Sequence, residues 1–187
     1  MDLKRLRTPL KIEDVDFRIQ SINLGGYATI LAYKDARVDI NRLDDVCTPL
    51  GWKREHKRDN NNCVVSIWDD KNKQWVGKED TGTESNTGTE SNTGKQKGLA
   101  SDSFKRSCFN WGIGIELYDY PVIQVKLNEN EFKIDEVQGK KMAKATFELR
   151  LKQWIWYSEF TDNKLTYLGG KDDKNNVRFQ FGKLKTK

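Results

Sequence analysis

Histidine, methionine, cysteine and proline are all scarce in this 187-residue chain, with one, two, three and three copies. The lone histidine, His56, sits among lysines and arginines, so no histidine cluster and no Ser-His-Asp set is expected around it. Its ordinary reading is a solvated strand residue. Cys47, Cys63 and Cys108 are odd in number and widely spaced, with no CxxC pair. That argues against a disulfide framework and a zinc site, and leaves buried, reduced thiols of a cytosolic protein. No apolar run approaches the ~20 residues of a membrane helix, and no signal peptide is evident. A strong charge of either sign is also missing: 33 Lys and Arg against 28 Asp and Glu leave +5. A nucleic-acid binder of this balance must gather its cations on one face.

What is present is enough for a core. Hydrophobic residues make up 36% of the chain, and six tryptophans and eight phenylalanines supply much of the buried area. The length suits one domain, or one domain with an extension.

Ile12, Val15 and Ile19 are spaced as a short helical stripe after Pro9. Tyr27-Ala-Thr-Ile-Leu-Ala-Tyr33 predicts a buried strand. Ile40, Leu43, Val46 and Cys47 predict a helix over 39–50, capped by Asp39 and closed by Pro49 and Gly51. Strands are expected at 52–57, 63–68 and 74–78, joined by turn-rich links into an antiparallel meander. Residues 79–97 carry no aromatic or large aliphatic side chain, and Thr-Gly-Thr-Glu-Ser-Asn occurs twice, at 81–86 and 87–92. Burial cannot offset the ordering entropy of such a stretch, so a mobile polar loop is expected. Strands follow at 122–127 and within 142–157. A hairpin is expected from 165–168 and 177–181, with Gly169-Gly170 and 172–176 as its turn.

Gly98-Leu-Ala-Ser-Asp-Ser-Phe-Lys-Arg-Ser-Cys-Phe-Asn-Trp-Gly-Ile-Gly114 is the most informative stretch. Ala100, Phe104, Cys108 and Trp111 share one helical face, and a Gly-Ile-Gly turn closes the helix. Lys105 and Arg106 fall roughly 100° and 200° around from Phe104, off that face. A solvent-facing double cation on a packed helix suits phosphate, although an ordinary exposed pair has the same pattern. Lys53, Arg54, Lys57 and Arg58 crowd one strand, but alternation sets Arg54 opposite Lys53 and Lys57. Glu55-His-Lys57, with Asp44-Asp45 upstream, has the carboxylate-x-Lys spacing of some magnesium nucleases, a weak match in so charged a chain. Gly88 to Lys95 imitates a phosphate loop, but it has one residue too many and Gln96 replaces the magnesium-binding hydroxyl, so ATP binding is rejected.

The 98–114 block, followed by Leu117-Tyr118 and Pro121 and preceded by Val76-Gly-Lys-Glu-Asp80 and the Gly-Thr-Glu-Ser-Asn segment, resembles the Rad52/22 family of single-strand annealing proteins. The nearest-looking members are phage and prophage recombination proteins, and the resemblance covers about residues 10–125. It implies an α+β fold: a curved antiparallel β-sheet with a β-β-β-α core packed against helices, assembled into an oligomeric ring or helical filament. It places the annealing core at 1–127 and leaves a β-rich extension of unknown role at 128–187. It implies ATP-independent single-stranded DNA binding and annealing of complementary strands, without an enzymatic activity, a cofactor or a metal. Lys105 and Arg106 match the family's basic pair on the DNA backbone, and Arg37 matches a further groove arginine. Lys78, Lys95, Lys97, Lys53 and Arg54 are candidates for a secondary DNA site. The implied partners are single-stranded DNA, further copies of the chain (a ring, undecameric on the family's pattern), and a phage exonuclease or single-strand binding protein. The implied location is the cytoplasm or nucleoid of a bacterial host. Ile115 stands where related phage proteins often carry arginine, and the tandem hexamer exceeds the family's usual single copy. The alternatives are a metal-dependent DNA nuclease and a small interaction module without nucleic-acid activity.

Overall fold

The structure, a computed structural model, describes residues 1–58, 62–83 and 92–184, the side chains of 92–97 excepted. In chain order the strands and α-helices are β1 (Asp16–Ile22), β2 (Tyr27–Tyr33), α1 (Ala36–Cys47), β3 (Trp52–His56), β4 (Cys63–Asp69), β5 (Gln74–Asp80), α2 (Asn92–Asn110), β6 (Ile123–Lys126), β7 (Phe132–Val137), β8 (Lys140–Ala145), β9 (Ile155–Thr161), β10 (Lys164–Lys171) and β11 (Val177–Gly182). All strand pairings are antiparallel among the described residues, so the fold is α+β. No helix among them is long and apolar enough to cross a membrane. Two compact units are drawn from interleaved stretches: Met1–Leu10 with Lys34–Ile115, and Lys11–Tyr33 with Glu116–Lys187.

The first unit holds the expected meander, ordered β3-β4-β5, with both helices. Val65 on the central strand is paired with Arg54 on one side and Lys78 on the other. Leu43 and Cys47 of α1 and Phe104 and Cys108 of α2 join Cys63, Val65 and Ile67 in one core. The small Ser107 lets α2 lie close on β4, its Oγ donating to the Cys63 carbonyl at 2.5 Å, and just past the helix Trp111 Nε1 donates to the Val65 carbonyl at 2.9 Å. All three thiols are buried and free. Helix α1 begins earlier than the spacing predicts. Asp35 caps it by accepting the Arg37 backbone N–H at 2.8 Å, and Asp39 lies inside, fully buried. Helix α2 also begins early, at Asn92, and β5 runs to Asp80, so both ends of the polar stretch 79–97 are regular structure. The repeat residues 84–91 lie outside the described residues.

In the second unit the sheets are ordered β1-β2-β6 and β11-β10-β9, with β7 and β8 as a separate ribbon. Ile30, Ile123 and Val125 meet Trp156 and Leu168 in its core. The helical stripe expected at 12–19 is instead a 3-10 turn at Ile12–Asp14 followed by β1. Phe17 and Ile19 alternate inward there, and the Phe17 ring stacks on Trp156 at 3.9 Å. Gly169 and Gly170 are strand rather than turn. A Cβ on Gly170 would lie 2.8 Å from the Trp156 ring, so the glycine makes room for the indole across the pair. The long strand expected within 142–157 is split between β8 and β9 by a 3-10 turn at Leu151–Gln153.

Candidate nucleic-acid interface

A buried ion pair fixes the two helices of the first unit. Lys34, just past β2, is 1% exposed and donates through Nζ to the Asp39 carboxylate. The same Nζ reaches the Lys105 carbonyl at 3.3 Å and lies 4.2 Å from the centre of the Phe109 ring. Burial pushes Lys34 down and pushes Asp39 up to about 6, and each is pulled back by the other's charge. Gly114, at φ 72°, leaves the space: a Cβ there would stand 2.9 Å from Lys34 Cδ and Cε.

This pair sets the backbone from which Lys105 and Arg106 project, and both side chains are half-buried. They diverge. The Lys105 charge helps hold the Asp35 carboxyl below its usual range, after the stronger effect of hydrogen bonds from Arg37. Arg37 Nε donates to Asp35 Oδ1 at 2.9 Å, and its side chain is 84% exposed. Lys105 and Arg37 therefore act on one carboxylate, at the N-terminus of α1, where the helix dipole also favours anions. Arg106 turns the other way, with Nε 3.2 Å from Asp80 Oδ1 at the end of β5. Asn110 donates to the other oxygen of that carboxylate at 3.2 Å. Spacing of ~100° per residue foresees the divergence. Nothing in the sequence pattern marks Lys34, Asp35 or Asp80 as the groups that hold these cations.

The remaining basic candidates do not share a face. Arg54 and Lys78 lie on the helix side of the meander. Arg54 sits 4.9 Å over the Phe104 ring; Lys78 sits 4.5 Å over Trp111 and donates to the Asn110 carbonyl at 2.6 Å. Lys78 thus caps the C-terminal end of α2. Lys53 points to the opposite side, 4.7 Å over Trp75. The side chains of Lys95 and Lys97 lie outside the described residues. Of the carboxylates behind the nuclease alternative, Asp44 accepts from Trp52 Nε1 at 2.7 Å, and Asp45 pairs with Arg5 at 2.6 Å.

Residues 3–136 match a family described as Rad52/22 family double-strand break repair protein. The match takes in both helices, the meander, Arg37, Lys105 and Arg106, and the β1-β2-β6 sheet. No match is found among curated proteins or among solved structures. A family match over more than half of the chain, on an α+β fold with antiparallel sheets, settles one point: the chain belongs to the Rad52/22 family of double-strand break repair proteins.

Proposed function

We propose that this chain is an ATP-independent single-strand annealing protein of phage or prophage type, and not an enzyme. The observation that carries the reading is the placement of Arg37, 84% exposed at the start of α1, and of Lys105 and Arg106 on α2 in one unit, inside the stretch that matches a DNA repair family. A single strand crossing the exposed side of α2 would meet Arg37 and Lys105 first and Arg106 beyond them. Contacts of this kind go to phosphates, carry no sequence information and leave the bases exposed for pairing. Lys53, Arg54, Lys78, Lys95 and Lys97 form at most a divided secondary site, since Lys53 faces away from Arg54 and Lys78.

Assembly into a ring or filament belongs to the same reading. Strands β3 and β5 are the edges of the meander, and an edge can pair with a neighbouring subunit. A phage exonuclease or a single-strand binding protein would act beside it, in the bacterial host's cytoplasm or nucleoid. The test is annealing of labelled complementary strands with a metal chelator and without ATP, alongside electron microscopy of the particles. Faster annealing with rings or filaments is expected. No acceleration, or magnesium-dependent cleavage of the strands, contradicts the reading.

A further inference from the structure

We propose that the second unit carries a docking cleft for an acidic peptide with apolar side chains, presented by a partner protein. The cleft lies along β1, which is an edge of its sheet: β2 pairs with it on one side, and no strand pairs on the other among the described residues. A sheet edge offers backbone N–H and C=O groups to an added strand. Beside that edge the chain at 147–153 leaves an open cleft of about 500 Å³. Phe147, Leu149 and Leu151 form an apolar wall, and the Phe147 side chain is 85% exposed. Arg18, Arg150 and Lys152 supply the charge, and no carboxylate lines the cleft. Arg150 lies 3.6 Å from Asp173, a surface pair of the kind worth little, and it remains 45% exposed.

The three features select one occupant. Edge groups hold an extended backbone, the wall takes every second side chain, and the cations choose acidic residues between them. A nucleic-acid strand fits less well. Phe147 is the one exposed ring of the cleft lining: Leu149 and Leu151 give no stacking plane, and the Phe17 ring is already stacked on Trp156, so successive bases would find no second platform.

The probe is a fluorescein-labelled peptide of alternating aspartate and leucine with one central phenylalanine, titrated by anisotropy against the full chain. Saturable binding is expected. It should weaken about tenfold in Phe147→Ala and again in Arg18→Glu/Lys152→Glu. Single-stranded DNA binding and the circular dichroism melting curve should stay unchanged in Phe147→Ala, because that side chain is 85% exposed. Absence of saturable binding overturns the proposal, as does equal binding of a peptide with lysine in place of aspartate. Loss of DNA binding in Phe147→Ala reassigns the cleft to nucleic acid, and a changed oligomeric state in that variant reassigns it to a second copy of the chain. Either result also overturns the proposal.

Discussion

Arg106 Nε lies 3.2 Å from Asp80 Oδ1, so the arginine proposed to meet DNA phosphate is held by a carboxylate at the end of the third meander strand. Phosphate must compete with Asp80 for that guanidinium. The pair is only partly exposed, 39% and 24%, but a surface ion pair of this type is worth no more than about 1 kcal/mol. Asp80→Asn is therefore expected to tighten single-strand binding by about two- to fivefold. Fluorescence anisotropy at fixed salt measures it. Weaker binding in Asp80→Asn would show that Asp80 orients Arg106 for the strand instead of competing with it.

The buried pair of Lys34 and Asp39 predicts a pH dependence of stability. Asp39 is raised from 3.8 to about 6 in the folded chain, with burial as the leading cause. A carboxyl raised in this way contributes stability that is full below its unfolded value and is lost as pH rises through about 6. The stability advantage of the wild type over Asp39→Asn should therefore shrink between about pH 4 and about pH 7 in urea titrations. Lys34→Met leaves Asp39 buried without its cation, and about 3–5 kcal/mol of stability should go with it at neutral pH. A pH-independent gap for Asp39→Asn, or a neutral Lys34→Met, contradicts this account.

Gly112 and Gly114 both have positive φ, 95° and 72°, so alanine at either costs about 1–2 kcal/mol from the backbone alone. The two sites differ in what the added methyl would meet. At Gly112 it would stand 2.5 Å from Arg7 Cγ, on an exposed side chain that can swing aside. At Gly114 it would meet the buried stem of Lys34, which is tied to Asp39 and the Lys105 carbonyl. Gly114→Ala should be the more destabilising substitution in urea unfolding and should also weaken DNA binding, because Lys105 is displaced with Lys34. Equal costs with unchanged binding would break the proposed link between the buried pair and the site.

Several of these relationships were legible in the residues, and others were not. Alternation and Asp/Asn-rich links place the meander within a residue or two, because a half-buried sheet needs that pattern. Phe104, Cys108 and Trp111 at helical spacing place the packed face of α2, and therefore the two cations off it. Ile12, Val15 and Ile19 misled because three apolar residues fit a helix as well as a strand, and pairing with β2 decides between them. Asp39 looked like a cap because aspartate favours that position. The actual cap lies four residues earlier, and Asp39 serves a lysine whose burial no periodicity reveals. The ribbon of β7 and β8 mixes lysine and acidic residues on exposed strands, so neither strand shows a clean alternation.

The central claim is that the cations of α2, with Arg37, grip phosphates. The salt dependence of single-strand binding tests it most directly, comparing the wild type with Lys105→Ala/Arg106→Ala. Each phosphate contact contributes a slope of about −0.7 in log affinity against log salt for a single strand. The double variant should bind at least about tenfold more weakly and lose about 1.4 from the slope, with its circular dichroism spectrum unchanged. Equal affinity and an equal slope in the two proteins would contradict the account.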